Sequence, residues 1–317
     1  MNAEHGTAVV AVGGNALVVD SEHRTVHDQF AAAGQAMAYV ADMIEAGWNV
    51  VVTHGNGPQV GYILRRSELA QHELHPVPMD YAGADTQGAI GYMFQKALRN
   101  EFHRRGIHKE VVTVVTQVRV ESTDPAFVQP SKPIGSFMDE EQGEHLALKW
   151  GWKVREDSGR GWRRVVPSPM PVEVIELMAI RTLTQSGCVV VTCGGGGIPV
   201  IRKDNGKIRG VEAVIDKDHA SGLLARDLRA DLFIISTSVE KVALHYGRPG
   251  QLWLDRVSLP EVRDYYADGH FADGSMGPKI AAMIDYLNSG GKLGIITSPE
   301  NIVRSLAGES GTWIVGE

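Results

Sequence analysis

Cysteine is almost missing from this chain, with two residues in 317, Cys188 and Cys193. Placed along one strand at about 3.3 Å per residue they stand roughly 16 Å apart, beyond disulfide reach, so no disulfide is expected to organise the fold. Cys193 keeps two readings, a small buried hydrophobe or a nucleophile beside glycines. Long apolar runs are absent too: nothing approaches the roughly 18 residues of a membrane span. Met1 to Thr7 carries neither a basic nor an apolar leader pattern, which points to a cytoplasmic protein. There is no excess of positive charge, the formal net charge being -7, and this argues against a surface built to hold nucleic-acid phosphates. The histidines form no paired set with companions of the kind zinc sites use. The Walker pattern is absent, and Gly13-Gly14 lacks the third glycine of a dinucleotide fingerprint.

What is there is a globular composition, 43% hydrophobic and 22% charged, and a repeated local grammar. The run Val189-Val190-Val191-Thr192-Cys193 passes without a break into Gly194-Gly195-Gly196-Gly197. Val9-Val10-Ala11-Val12-Gly13-Gly14-Asn15 and Val50-Val51-Val52-Thr53-His54-Gly55-Asn56-Gly57-Pro58 repeat the pattern. Unalternating β-branched residues fit strands covered on both faces, as in a parallel sheet between helix layers. Glycine after such a strand leaves backbone N–H groups open to a ligand. In open parallel α/β sheets ligands bind at the carboxyl ends of the strands, so three glycine turns there point to one shared anion site. His54 reads as a loop residue near the substrate.

Helix and strand patterns alternate along the chain. Gln29 to Ala46 precedes a strand from Asn49 to Thr53, Val172 to Ser186 reads as a helix before the central strand, and Asp218 to Arg229 precedes Asp231 to Thr237. Pro278 to Ser289 precedes Leu293 to Thr297. This order implies a mainly parallel sheet with helices on both faces. A helix from Gly83 to Phe102 carries Ala84, Gly88 and Gly91 on one face, which serves either tight internal packing or a dimer contact. Between Val118 and Pro169 the alternation stops, and prolines, an acidic run and a hairpin from Trp152 to Val166, turning at Asp157-Ser158-Gly159, read as an insertion projecting from the sheet. Lys132 stands out there because Pro133 stiffens its setting.

The chain resembles the carbamate kinases, a branch of the amino acid kinase family. The motifs that carry the resemblance are Gly13-Gly14-Asn15-Ala16-Leu17, Thr53 to Gly61, Lys132-Pro133-Ile134-Gly135 and Arg164 to Pro169. They continue with Gly194 to Val200, Ala213 to Asp218 and Gly274-Ser275-Met276-Gly277-Pro278-Lys279, so that nearly the whole chain is covered. The resemblance implies a three-layer α/β/α sandwich around a mainly parallel open sheet. It implies an amino-terminal carbamate lobe, residues 1–187, with a protruding subdomain at about 118–169, and a nucleotide lobe, residues 188–317. It further implies a homodimer, a connection with arginine metabolism, and reversible phosphoryl transfer between ATP and carbamate, with Mg²⁺ carried by the nucleotide and no metal site of the protein's own.

Carried over residue by residue, the resemblance implies that Lys132, Lys217, Asp218 and Lys279 are catalytic. Gly13, Gly14, Asn15, Gly55, Asn56 and Gly57 would bind carbamate or carbamoyl phosphate, and Thr237, Ser238, Val242, Tyr246, Met276, Pro278 and Lys279 the nucleotide. The chemistry fits these residue types: a carbamate oxygen is already anionic, so the attack needs positive charge and N–H groups rather than a general base. Asp218 would orient the lysines, although Asp216-Lys217-Asp218 also reads as a helix start. Val12 stands where related kinases have a first-strand lysine, and Lys132 would replace it. Ser238 stands where many relatives have aspartate, and this leaves the ribose and adenine contacts open. A kinase of another small carboxylate, phosphonate or phosphate, or a non-catalytic nucleotide-binding sensor, would share most of these features.

Overall fold

The computed structural model describes residues 6–13, 17, 22, 23, 25–157, 159–272 and 274–316. The three apolar runs become neighbouring strands, Thr7–Val12, Asn49–His54 and Val189–Val191, in an eight-stranded sheet. On one side the sheet ends with Val111–Thr113; on the other it continues through Leu232–Ser236 and Leu293–Thr297, all of these being parallel. Thr312–Val315 adds antiparallel to Leu293–Thr297, and Arg256–Ser258 closes that edge.

Side chains alternate between two helical layers. Val10 and Val52 face the helices Val26–Glu45 and Met79–Arg105, and Val9, Ala11 and Val51 face Lys217–Leu228 and Met276–Asn288. Both faces are therefore dry, which explains the unbroken valines; full burial of such a side chain contributes about 1.5–3 kcal/mol. The result is the expected three-layer α/β/α sandwich. Val189–Val191 pairs with Asn49–His54 and Val111–Thr113, so the sheet runs unbroken across residue 188.

Two segments differ from the sequence reading. The stretch from Val172 to Ser186 is not one helix: Pro171–Val174 is a strand and only Leu177–Gln185 is helical. Proline and β-branched residues favour an edge strand, and Glu176 stops it by accepting from Gln117 N at 2.7 Å and Gln117 Nε2 at 2.9 Å. Pro171–Val174 then pairs with Gln117–Val120, which also pairs with Ile198–Arg202, in a second sheet of four strands. Val118 and Val120 are consequently core residues, and the projecting unit is narrower than the insertion read from sequence. It consists of Lys132–Met138, Trp162–Val166 and Lys153–Glu156 in a three-stranded antiparallel sheet, with the helix Glu140–Trp150 against it. Gly143 of that helix packs over Trp162, Met138 and Val154. Of the hairpin turn, Ser158 lies outside the described residues.

The helix expected from Gly83 runs from Met79 to Arg105 and ends at Gly106 with φ 69°. A Cβ on Gly91 would fall 2.3 Å from Thr113 Cγ2, so Gly91 serves internal packing, whereas Gly88 is exposed on the face that carries exposed Tyr81 and Tyr92.

Candidate active site

The carboxyl ends of the parallel strands meet along one edge. Strand Thr7–Val12 has Asn49–His54 on one side and Leu232–Ser236 on the other, the point from which the chain winds in opposite directions and where open α/β sheets form their ligand crevice. Gly13 sits in this crevice close to the Ser236 carbonyl, 3.1 Å from where its Cβ would be. Gly14 and Asn15 lie outside the described residues. Gly55 N donates to the Val12 carbonyl at 3.0 Å and ties the second glycine turn to the first strand. Asn56 is buried, and its Nδ2 donates to Thr86 Oγ1 at 2.8 Å; Gly57, exposed, opens the helix Gly57–Ala70.

The four-glycine run needs its glycines. Gly195 has φ 67°, and a Cβ there would stand 2.0 Å from Asn56 Nδ2; at Gly196, with φ 92°, it would stand 2.3 Å from the Ile215 carbonyl oxygen. The glycine run therefore packs closely against the Asn56 side chain and against the backbone that leads to Lys217. Gln87 pins the run from the long helix, donating through Nε2 to the carbonyls of Thr116 and Gly194, each at 3.1 Å, and accepting from Thr116 N at 2.7 Å.

The charged groups gather at the start of the helix Lys217–Leu228. Asp218, 3% exposed, accepts from Lys217 Nζ through Oδ1 and from Lys279 Nζ through Oδ2, both at 2.7 Å. Asp216 caps the helix, its Oδ1 accepting from Asp218 N at 2.9 Å, while its Oδ2 accepts from Lys132 Nζ at 2.9 Å. Lys132, Lys217, Asp218 and Lys279 thus come together from the projecting sheet and two helix starts. Burial works against ionisation of Asp218, but the Lys217 and Lys279 ammoniums prevail and hold its carboxyl well below the usual carboxylate range. Burial opposes ionisation of Asp216 as well, and the Lys132 ammonium holds that carboxyl low. Both are carboxylates at neutral pH.

His54 is a strand end rather than a loop residue. It is 1% exposed and packs edge-on against Phe94 with ring centroids 5.5 Å apart. Burial lowers its pKa to about 4, with the Lys217 charge adding to the effect, so the ring is neutral and its Nδ1 donates to the Gly55 carbonyl at 3.0 Å. Cys193 is wholly buried, and burial pushes its thiol up to about 12, which removes it as a nucleophile.

Beneath the projecting sheet a cavity of about 110 Å³ is lined by Lys132, Arg163, Asn56, Gly57, Gly195 and Gly197 among others. Arg163 is not set apart in the sequence from Arg155, Arg160 and Arg164 of the same hairpin. Its Nη1 donates to Asp157 at 3.0 Å, its guanidinium lies 5.1 Å from the centre of the Phe137 ring, and its buried Nε has no hydrogen-bond partner. Asp216 was read only as part of a helix start, because nothing local shows that a lysine 84 residues earlier in the chain reaches it.

The nucleotide candidates lie along the other half of the edge. Thr237 N donates to the Thr297 carbonyl at 2.8 Å, and Ser238 is exposed beside it. Val242 is buried in the hairpin Val242–Leu244 and Leu252–Leu254, with its N–H donated to Thr312 Oγ1, so it can offer only a wall. Tyr246 is 64% exposed and meets Trp253 edge-on at 6.1 Å. Met276 and Pro278 form the first turn of the helix Met276–Asn288, which no side chain caps, and Lys279 follows them. A helix start of this kind favours phosphate.

A fold of this topology with lysines converging at the strand ends is that of a phosphotransferase acting on small acids. Residues 6–298 match the family model described as the amino acid kinase family, and the chain belongs to that family. Its relatives include the carbamate kinase of Pyrococcus horikoshii, 49% identical over 96% of this chain and 98% of that protein. A carbamate kinase-like protein of Escherichia coli is 47% identical over 97% of this chain and 98% of its own length. The solved structure of the Giardia lamblia carbamate kinase bound to AMP-PNP superposes with a TM-score of 0.93 at 40% identity and covers all of both chains.

Proposed function

We propose that this chain is a carbamate kinase, which transfers a phosphoryl group reversibly between ATP and carbamate to give ADP and carbamoyl phosphate. The observation that carries the reading is the convergence of Lys132, Lys217 and Lys279 on the two carboxylates Asp216 and Asp218 at the edge where the glycine turns end. In the forward direction a carbamate oxygen attacks the γ-phosphorus, the bond from that phosphorus to the β-γ bridging oxygen breaks, and ADP leaves with the electron pair. The acceptor is an anion already, so no proton is removed; the barrier lies in bringing two anions together. Three ammoniums against two carboxylates leave one positive charge in excess for the phosphoryl group. Gly13, Gly55 and Gly57 offer N–H groups to the acceptor, Asn56 is held beside them by Thr86, and Asp218 orients Lys217 and Lys279 rather than taking a proton.

The first turn at Met276 and Pro278, together with Lys279, would receive the nucleotide phosphates, with Thr237, Ser238, Val242 and Tyr246 bordering the nucleoside. This divides the chain into an acceptor lobe and a nucleotide lobe. Mg²⁺ would come with the nucleotide and neutralise phosphate charge, while all four oxygens of Asp216 and Asp218 accept hydrogen bonds within the protein. The exposed face of the long helix at Tyr81, Gly88 and Tyr92 suits a second copy of the chain in a homodimer. No helix among the described residues is long and apolar enough to cross a membrane.

The test is ATP formation from ADP and carbamoyl phosphate, with acetyl phosphate in parallel. ATP from carbamoyl phosphate alone is the expected result. Preference for acetyl phosphate would move the chain to another acceptor, and nucleotide binding without turnover of either compound would make it a sensor.

A further inference from the structure

Asp216 does two things at once, through different oxygens. Oδ1 caps the helix that carries Lys217 and Asp218, and Oδ2 receives Lys132 from the projecting sheet, each at 2.9 Å. Capping alone does not call for a charge, since Asn, Ser and Asp cap helices almost equally well. The second oxygen is the one that needs aspartate, because a carboxylate oxygen held by an ammonium makes a shorter and stronger contact than an amide would.

Other contacts bring Lys132 to this point. Its strand is paired with Trp162–Val166 in the register Lys132↔Val166 and Pro133↔Val165, and Ile134 and Val166 are buried against Val60, Leu64 and Met79. The base of the projecting sheet is therefore anchored on the helix Gly57–Ala70, which begins at the acceptor turn. The Lys132 side chain is still 39% exposed, against 15% for Lys217 and Lys279, and its only ion-pair partner among the described residues is Asp216. That ion pair is what holds a flexible four-carbon stem over the cavity.

We propose that Asp216 is a positioning residue for phosphoryl transfer, holding Lys132 at the start of the Lys217 helix so that the lysine of the projecting sheet and those of the two helix starts act on one phosphoryl group. The proposal rests on the kinase reading above and extends it to a residue that touches neither substrate. Asp216 faces Lys132 from the projecting sheet and Asp218 on its own helix, and the latter is neutralised by Lys217 and Lys279. Its charge is thus left to Lys132.

The experiment compares Asp216→Asn, Lys132→Met and the double variant in steady-state kinetics with ADP and carbamoyl phosphate, beside urea unfolding. Asparagine keeps the cap and removes the charge. Asp216→Asn should keep the wild-type urea midpoint and a KM for ADP within about twofold of wild type, and lose up to about 100-fold in kcat. On the Lys132→Met background the same substitution should cost nothing further. An unchanged kcat in Asp216→Asn, or an equal loss with and without Lys132, would reduce Asp216 to a helix cap. If Asp216→Asn does not fold, Asp216→Ser, another capping residue without charge, takes its place with the same expectations. Acetylation of Lys132 by acetic anhydride, followed by peptide mapping, reads the pair without turnover: the lysine should react severalfold faster in Asp216→Asn than in wild type. Equal rates would overturn the proposal. Wild-type protein inactive toward carbamoyl phosphate, with the acetylation difference present, would instead overturn the kinase reading and leave the Asp216–Lys132 pair standing.

Discussion

Lys279 Nζ donates to Asp218 Oδ2 at 2.7 Å and so joins the start of one helix to the start of another across 61 residues of chain. The contact places an ammonium from the expected nucleotide half against the carboxylate that also holds Lys217. On the proposed kinase reading, charge meant for the phosphoryl group is thereby fixed before substrate arrives, and preorganisation of this kind supplies much of enzymatic rate enhancement.

The first prediction concerns Lys217. Its ammonium, 15% exposed, is held at 2.7 Å from Asp218 and does not have to be ordered during the reaction. Lys217→Ala should lower kcat by about 10²- to 10³-fold, with a much smaller change in ADP affinity. Initial-rate kinetics beside calorimetric ADP binding decide it, and an unaltered turnover number would remove Lys217 from the mechanism.

Lys132 is a separate case because it arrives on the projecting sheet. Lys132→Met keeps the apolar stem and deletes the charge; a folded protein that still binds ADP but turns over poorly is expected. Lys132→Arg substitutes a wide planar fork for a compact ammonium at a 2.9 Å contact with Asp216, and should recover activity only in part. Wild-type rates in Lys132→Met would make it a surface lysine.

Gly195 tests the packing of the acceptor turn. The three atoms nearest an added Cβ are side-chain atoms of Asn56, at 2.0, 2.3 and 2.5 Å, on a backbone with φ 67°. Gly195→Ala should therefore displace Asn56 from Thr86, raise KM for carbamoyl phosphate and cost roughly 2–4 kcal/mol of stability. Adding Asn56→Ala should restore part of the stability, since the obstacle is then gone, while the backbone strain of roughly 1–2 kcal/mol stays. Urea unfolding of the single and double variants measures both; a double variant no more stable than Gly195→Ala would place the cost in the backbone alone.

His54 makes stability depend on pH in a defined direction. Its pKa falls from 6.5 to about 4 on burial, so the unfolded chain binds a proton that the native one refuses. The contribution is complete above the unfolded value, and is lost as pH falls from there toward the folded value. Between about pH 7 and about pH 5 it amounts to roughly 2 kcal/mol. His54→Gln should abolish that increment of the pH dependence, seen as a smaller difference between urea midpoints at the two pH values. Equal differences in the two proteins would show that His54 takes up its proton in the native state.

The residue order alone determined the sheet and its two covers. Unbroken valines ahead of glycine at Val12, His54 and Val191 mean strands buried on both faces with open turns after them, a local property that needs no partner to be read. It also set Lys132 apart through Pro133, while Lys217, Asp218 and Lys279 were marked by the resemblance to the carbamate kinases.

What only the tertiary structure decided is which of these groups meet, and what else meets them. Asp216 looks like an ordinary cap until the projecting sheet brings Lys132 to its second oxygen, and Arg163 looks like a hairpin arginine until a cavity forms beside it. Val172 to Val174 fits the start of a helix as well as a strand because its apolar residues suit either period, and pairing with Gln117–Val120 makes Pro171–Val174 a strand. His54 was read as a loop residue, but Phe94 and the glycine run bury it. The physical reason is the same each time: pattern along a chain reports which face of an element is buried, whereas ion pairs, pKa shifts and cavities depend on distances between elements that no local pattern contains.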